Sequence, residues 1–458
     1  MGKYFGTDGF RGEAGITLNS EHAFRIGRFL GWYYGKDTQK KVKAVVGKDT
    51  RLSSYTLEYA IAAGLTASGA DAYILHVTTT PSVSYATVGD DFDCGIMISA
   101  SHNPYTDNGI KLVNSLGEKM DDDTLDKIEL YLNGDLSALG IENGDIPYAT
   151  GADMGRIVDY AAGRNRYIGY LISLSKYSFK DFRIGLDCAN GSAWMIAKSV
   201  FDALGAKTYT IGAEPDGSNI NRGVGSTHID ALCQLVKENE LDIGFAFDGD
   251  ADRCLAVDEN GNIVNGDHIL YILGSFLRSH GELSENTVVT TIMSNLGLYR
   301  ALDDAGIRYE QTTVGDRYVY ENMREHGYSI GGEQSGHIIL SKYATTGDGI
   351  LTAIKIMEAV IASKSTLSKL AEPVKMLPQV TKNIRVSDKR AVREDADVAK
   401  SVSLVKEKLG KSGRILLRES GTEPVVRIMV EAETEELCEL YTSQVADVIY
   451  KKGLAKEN

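Results

Sequence analysis

The chain runs to 458 residues, more than one compact core accommodates, so three or four domains are expected. With 43% hydrophobic and 24% charged residues, it has the composition of a soluble globular protein and needs neither disorder nor a disulfide scaffold. A formal net charge of −14 argues against nucleic acid or an anionic membrane as partner, yet permits a phosphorylated small molecule held by a local group of Arg and Lys.

Five cysteines, Cys94, Cys188, Cys233, Cys254 and Cys438, are scattered with no Cys-x-x-Cys pair, which predicts reduced thiols and no zinc site. The first residues lack the apolar core of a signal peptide, and no apolar run is long enough to span a bilayer. The expected location is therefore the cytoplasm. Short apolar runs ending in Gly, Asp or Asn recur, each followed by a helix-like stretch. Lys43-Ala-Val-Val-Gly-Lys-Asp49, Arg183-Ile-Gly-Leu-Asp-Cys-Ala-Asn190 and Thr287-Val-Val-Thr-Thr-Ile-Met-Ser-Asn295 each read as a buried strand that delivers polar residues at its C-terminal end. The alternation predicts α/β layers, and the three instances predict three units of similar plan.

In chain order, the first chemistry-bearing stretch is Thr7-Asp-Gly-Phe-Arg-Gly12, which sets Arg11 in a glycine-bounded loop. Next, the apolar run Gly95-Ile-Met-Ile98 leads into Ser99-Ala-Ser-His-Asn-Pro104. A serine at such a strand end, exposed and flanked by His102 and Asn103, suits a nucleophile or a phosphorylation site. The alternative is a plain Ser/Asn turn before proline. No Gly-x-Ser-x-Gly elbow occurs, which argues against an α/β-hydrolase. Beyond it, Asp107-Asn-Gly-Ile-Lys111 predicts an Asn-Gly turn that returns Lys111 towards Ser101. For Arg11 and Lys111 alike, plain surface charge is the alternative. The polar, Gly-rich stretch 133–153 closes a first unit.

After the strand-like run 241–247 comes Asp248-Gly-Asp-Ala-Asp-Arg253. Three carboxylates at alternate positions repel one another unless a cation lies among them, and hard oxygen donors select Mg2+ over zinc. Gly249 and Ala251 are small enough to let the loop curl. Arg253 stands where an EF-hand loop needs glycine, which disfavours calcium although Glu259 falls at that loop's last ligand position. A solvated acidic turn is the other alternative. Arg253 beside the acids could hold a phosphate that the metal also touches.

An Asn-Gly pair in Asp258-Glu-Asn-Gly-Asn262 predicts a hairpin and a boundary. Gly331-Gly-Glu-Gln-Ser-Gly-His337 gathers donors and acceptors suited to sugar hydroxyls between glycines. A third unit ends near Ala371-Glu-Pro373. Strand-like runs at 383–386, 414–417 and 425–431, with helical charge patterns between and after them, predict a small α+β unit. Within it, Arg418-Glu-Ser-Gly-Thr-Glu-Pro424 and Arg427 offer backbone N–H groups, hydroxyls and two guanidinium forks to a phosphate. Glu419 and Glu423 leave a solvated turn open as the alternative.

Together these segments resemble the α-D-phosphohexomutase superfamily over nearly the whole chain, with the serine, metal, sugar and phosphate loops in that family's order. The opening Gly6-Thr-Asp-Gly-Phe-Arg-Gly12, Val314-Gly-Asp-Arg-Tyr318, Thr345-Thr-Gly-Asp-Gly349 and Gln334 are similar to the branch acting on phosphorylated glucosamine. Phe10 stands where many members have Ile, and Ala251 where this branch often has Gly; neither changes a ligand or a charge. The resemblance implies four domains around a central cleft. Three are related α/β domains with mixed sheets, over 1–152, 153–256 and 257–373, and the last, 374–458, is α+β. It also implies that Ser101 carries phosphate and that Asp248, Asp250 and Asp252 bind one Mg2+ with Ser101 as a further ligand; beside them, Arg253 and Lys111 are expected to help the transfer, with Lys111 or His102 as proton acceptor and Arg11 assisting by its charge. Glu333, Ser335 and Arg317 would contact the substrate, and Arg418, Ser420, Gly421, Thr422 and Arg427 would hold the phosphate that is not reacting.

The activity so implied interconverts glucosamine 6-phosphate and glucosamine 1-phosphate through phosphoserine and a sugar 1,6-bisphosphate, feeding UDP-N-acetylglucosamine synthesis. The alternative is the same chemistry on glucose or mannose phosphates. A phosphorylated hexosamine is the expected partner, with no nucleic acid and no membrane, and the chain acts as a monomer or a homodimer. Lys111 or His102 would accept the proton of the attacking hydroxyl, and Lys111 could do so only if its pKa falls.

Overall fold

The computed structural model of the protein describes residues 2–6, 8–36, 38, 40–141, 144–419 and 424–456. Its four sheets fall into two compact units, one made of Met1–Met293 with Ile307–Glu372 and the other of Ser294–Gly306 with Pro373–Asn458.

The first unit holds three mixed sheets. One runs in the order Phe5–Gly6, Gly9–Glu13, Asp107–Asn114, Cys94–Ile98, Lys43–Lys48, Asp71–Val77, Ile157–Asp159. The last four strands are mutually parallel and the others pair antiparallel. Ile157–Asp159 thus joins this sheet from the segment assigned by sequence to the second domain. Lys43–Lys48 and Cys94–Ile98 are covered on both faces, which is why they read as unbroken apolar runs. Phe29 and Leu30 of the helix Ser20–Gly35, with Ile61 and Leu65 of Leu52–Ala67, pack on Val46 and Ile96. On the other face Val83, from the helix Thr80–Gly89, meets Val45 and Met97. Each such aliphatic side chain withdrawn from water contributes about 1.5–3 kcal/mol.

The second sheet is ordered Ile263–Val264, Cys254–Val257, Ile243–Phe247, Arg183–Asp187, Lys207–Ile211, and the third Arg308–Thr312, Thr287–Thr291, Ile330–Gly332, Ile338–Leu340. Both repeat the plan of parallel strands with an antiparallel edge. In each sheet the strand singled out by sequence, Lys43–Lys48, Arg183–Asp187 or Thr287–Thr291, lies between two parallel neighbours. The expected hairpin at 258–262 is present, with Asp258 Oδ1 accepting from the backbone of Asn260 and Asn262. The helix Gly349–Ser363 is buried along most of its length. Its cap, Asp348, accepts from Leu351 N and from the buried Tyr167 hydroxyl at 2.7 Å.

The second unit is a three-stranded antiparallel sheet, Gln379–Arg385, Val425–Glu431, Arg414–Glu419, with the helices Ala396–Leu409 and Glu435–Lys451 packed on its apolar face. Its first strand starts four residues before the expected 383–386 run because only alternate side chains there turn inward. The helix Leu296–Asp304 belongs to this unit: Asn295 exchanges 3.0 Å hydrogen bonds with Leu377, and Leu296 N donates to Glu431. All five cysteines are free thiols. Among the described residues, no helix is long and apolar enough to cross a membrane.

Candidate active site

The strand Cys94–Ile98 ends in the serine loop, and the sequence expectation of an exposed Ser101 is corrected: the residue is only 1% exposed. The burial arises because the aspartate loop closes against it. A Cβ on Gly249 would lie 2.4 Å from the Ser101 carbonyl oxygen, so only glycine permits that approach. The Ser101 hydroxyl donates to Asp248 Oδ2 at 2.5 Å. Below the loop, Asp49, at the end of Lys43–Lys48, accepts from the hydroxyls of Ser54 and Ser99 and from Arg51 Nε. Arg51 in turn donates to the carbonyls of Ser101, Asn103, Pro104 and Asp107. Sequence reasoning missed this pair; the only available signal was a polar Asp49 at the C-terminal end of a buried strand.

Asp248 and Asp250 are fully buried and Asp252 nearly so, with carboxylate oxygens of all three within 4.8 Å of one another. At that spacing two unit charges repel by about 3 kcal/mol at an effective dielectric of 20. Burial first, then Asp252 and Asp250, push the Asp248 carboxyl well above its ordinary range. Asp250 Oδ1 and Asp252 Oδ1 are buried without a hydrogen-bond partner. Three convergent hard oxygens with unused lone pairs fit a divalent cation such as Mg2+. Ala251 takes a left-handed φ of 56°, the curl expected of a small residue there. Glu259 bonds Ser368 instead of joining the acids.

One expectation about Lys111 is corrected, and the condition set for it as a base is not met. Asn108 and Gly109 form no turn but lie within the strand Asp107–Asn114, where a Cβ on Gly109 would sit 2.4 Å from the Ser99 carbonyl and Asn108 donates to Ser53 and Ser54. The register still brings Lys111 to the acids, 2.7 Å from Asp250 and 3.0 Å from Asp252. Its pKa does not fall. Burial favours the neutral amine, but Asp250, Asp252 and Asp8 outweigh it and raise the value well above normal. His102 goes the other way: burial, then Arg253 and Arg11, lower it to about 4. Its Nδ1 lies 3.2 Å from Ser101 Oγ and accepts from Arg253 Nη1 at 3.1 Å. Arg11 pairs with Asp8 and reaches Asn103 at 3.4 Å. Although burial resists its charge, Asp8 is held far below the carboxylate range by Lys111, Lys119 and Arg11.

The segment expected to contact the sugar lies between Ile330–Gly332 and Ile338–Leu340. Glu333 Oε1 accepts from Gly315 N at 3.0 Å, tying this loop to the start of the helix Asp316–His326, and Ser335 is exposed. His337 is buried, accepts from Gly347 N, and approaches Asp316 at 3.5 Å and Asp252 at 3.8 Å. Lys119 joins Asp8 to Asp316. Arg317 pairs with Asp122 and Glu321. A cavity of ≈ 170 Å³ opens beside Lys119, Asp316, Arg317 and His337.

In the second unit, Arg418 and Arg427 are directly paired across adjacent antiparallel strands. Burial and then the neighbouring Arg427 charge lower the Arg418 pKa, and like charges so placed are relieved by an anion. Ser420, Gly421 and Thr422 lie outside the described residues.

Four family models described as phosphoglucomutase/phosphomannomutase domains match the chain in succession: α/β/α domain I over 2–137, II over 165–261, III over 265–376 and the C-terminal domain over 382–448. That succession is the domain order of a phosphohexomutase. The phosphoglucosamine mutase of Lachnospira eligens is 64% identical, the match covering 99% of this chain and 100% of that protein. The chain belongs to the phosphoglucosamine mutase family. Among solved structures, a phosphoglucomutase/phosphomannomutase family protein from Burkholderia thailandensis matches with a TM-score of 0.78 at 23% identity, covering 98% of each chain. Aspergillus fumigatus N-acetylphosphoglucosamine mutase, solved with GlcNAc-6P and magnesium, matches with 0.65 at 17% identity over 98% of this chain and 96% of that one. At such identities these two establish the fold alone.

Proposed function

We propose that the protein interconverts glucosamine 6-phosphate and glucosamine 1-phosphate in the cytoplasm, with Ser101 as phosphoryl carrier. The observation that carries the reading is a buried serine hydroxyl 2.5 Å from Asp248 at the edge of three converging carboxylates. Phospho-Ser101 gives its phosphoryl group to the sugar 1-hydroxyl: the bond from phosphorus to Ser101 Oγ breaks as one to the sugar oxygen forms, and the proton leaving the sugar hydroxyl is matched by one taken up at Ser101 Oγ. The resulting 1,6-bisphosphate turns over and presents its 6-phosphate, which Ser101 takes back. Asp248, Asp250 and Asp252 would hold one Mg2+, with an oxygen of phospho-Ser101 as a further ligand. When bound there, the ion neutralises charge on the group in transfer.

Lys111, whose ammonium already spans Asp250 and Asp252, and Arg253, which lies beside His102 and the serine, hold positive charge around that group. Arg11 supports the serine loop through Asn103. Glu333 and Ser335 are assigned the sugar hydroxyls, and Arg317 must leave Asp122 to serve the substrate. Arg418, Ser420, Gly421, Thr422 and Arg427 are assigned the phosphate that is not reacting. The domain divisions at 152, 256 and 373 belong to this reading, as does action as a monomer or homodimer.

The test compares kcat/KM for the 6-phosphates of glucosamine, glucose and mannose in the wild type and in Ser101→Ala. Preference for glucosamine, with no turnover of any sugar in the variant, is expected. A greater kcat/KM for glucose or mannose overturns the sugar assignment, and residual turnover in Ser101→Ala overturns the carrier.

A further inference from the structure

Ser101 has a φ of 52°, a left-handed conformation that costs a non-glycine residue of order 1–3 kcal/mol. Its backbone is accordingly held at every polar atom. Ser101 N donates to Ser99 Oγ, itself anchored on Asp49, and the carbonyl accepts from Arg51 Nη2 at 3.0 Å. A second donor reaches the same carbonyl from another part of the unit. Asn221, between the strand Lys207–Ile211 and the helix Asp230–Glu238, donates Nδ2 to Ser101 O at 2.9 Å and to Asn103 O at 3.1 Å. Arg51 also donates to Asn103 O, at 2.9 Å. Two carbonyls of one loop therefore each accept from the same two donors, brought from segments far apart in the chain.

Asn221 is suited to that task alone. It is 5% exposed, and facing two carbonyls its amide can present only nitrogen. Its Oδ1 is buried with no hydrogen-bond partner, so the donations to the serine loop fix its orientation. Its own φ is 58°, and its backbone N donates to Ala189 O. Nδ2 also lies 3.1 Å from where a Gly249 Cβ would stand, so the side chain touches the aspartate loop as well. We propose that Asn221 is a positioning residue for phosphoryl transfer: with Arg51 it fixes the carbonyls of Ser101 and Asn103, and so aims the Ser101 hydroxyl at the aspartates. The inference rests on Ser101 being the phosphoryl carrier.

The test uses Asn221→Gly, since glycine accepts the left-handed backbone, and Asn221→Asp, which sets a carboxylate against two carbonyls. For each, kcat, KM and Tm are measured, with the rate at which glucose 1,6-bisphosphate phosphorylates Ser101, followed by intact mass. Misaiming the hydroxyl is expected to lower both kcat and the phosphorylation rate about 10²-fold. KM stays within about two-fold in Asn221→Gly, and Tm falls by no more than about 4 °C. Rates within about two-fold of wild type, or a loss accounted for entirely by unfolded protein, overturn the proposal. If wild type proves inactive on glucosamine phosphates, the sugar assignment fails while the phosphorylation rate still decides the role of Asn221. No mass gain on phosphatase-treated wild type overturns both.

Discussion

Gly249→Ala probes the contact on which the site depends, that of the serine and aspartate loops. The added Cβ would lie 2.4 Å from the Ser101 carbonyl oxygen, 2.9 Å from Ile220 Cδ1 and 3.1 Å from Asn221 Nδ2. The isoleucine can rotate aside, but the carbonyl is held by Arg51 and Asn221 together. Ordinary contact begins at 3.4 Å, so methyl and oxygen must part by about 1 Å in a close-packed interior. Overpacking of this kind costs about 1–3 kcal/mol of stability. Displacing Ser101 or Asp248 by that distance is expected to lower kcat about 10²-fold. A coupled assay of glucosamine 1-phosphate formation and a thermal melt measure the two effects. Activity within about two-fold of wild type would refute the claim that these backbones must touch.

Asp250→Asn removes one charged oxygen from the trio and should lower the Mg2+-dependent rate by at least about 10²-fold, with weaker Mg2+ binding by calorimetry; an undiminished rate at saturating Mg2+ counts against the metal site. Tyr167→Phe leaves Asp348 short of a buried donor and should cost about 1–3 kcal/mol in urea unfolding, so an unchanged midpoint contradicts it. Burial pushes Asp348 from an ordinary 3.8 up to about 6. The folded state then holds this proton more tightly than the unfolded chain, so its stabilisation is complete below the unfolded value and is lost as pH rises through 6. Asp348→Asn should therefore gain on wild type by about 3 kcal/mol between pH 4 and 6 and level off above; a difference constant with pH refutes this. Arg427→Ala should raise KM for the sugar phosphate about tenfold or more with a smaller change in kcat, and an unchanged KM counts against the phosphate role.

The central strands were legible because burial on both faces leaves no room for alternation: Lys43–Lys48 and Thr287–Thr291 announce themselves as apolar runs. Asp248, Asp250 and Asp252 were legible because acids at alternate positions repel unless a cation lies among them, and in the structure their oxygens converge. What escaped was set by partners far along the chain. Lys111 could serve as the base only with a lowered pKa, and the carboxylates that raise it instead come 139 and 141 residues later. Asn108-Gly109 reads locally as a turn, yet glycine is needed there for the approach of the Ser99 carbonyl. Asn221 sits 120 residues from the carbonyl it serves and belongs to no motif.

The most direct measurement is the intact mass of Ser101-containing and Ser101→Ala protein, before and after phosphatase, followed by addition of glucose 1,6-bisphosphate. The wild type should lose one phosphoryl group to the phosphatase and regain it from the bisphosphate, while the variant stays at its unmodified mass throughout. A phosphoryl group that appears on the variant as well, or a wild type that never takes one up, would contradict the account.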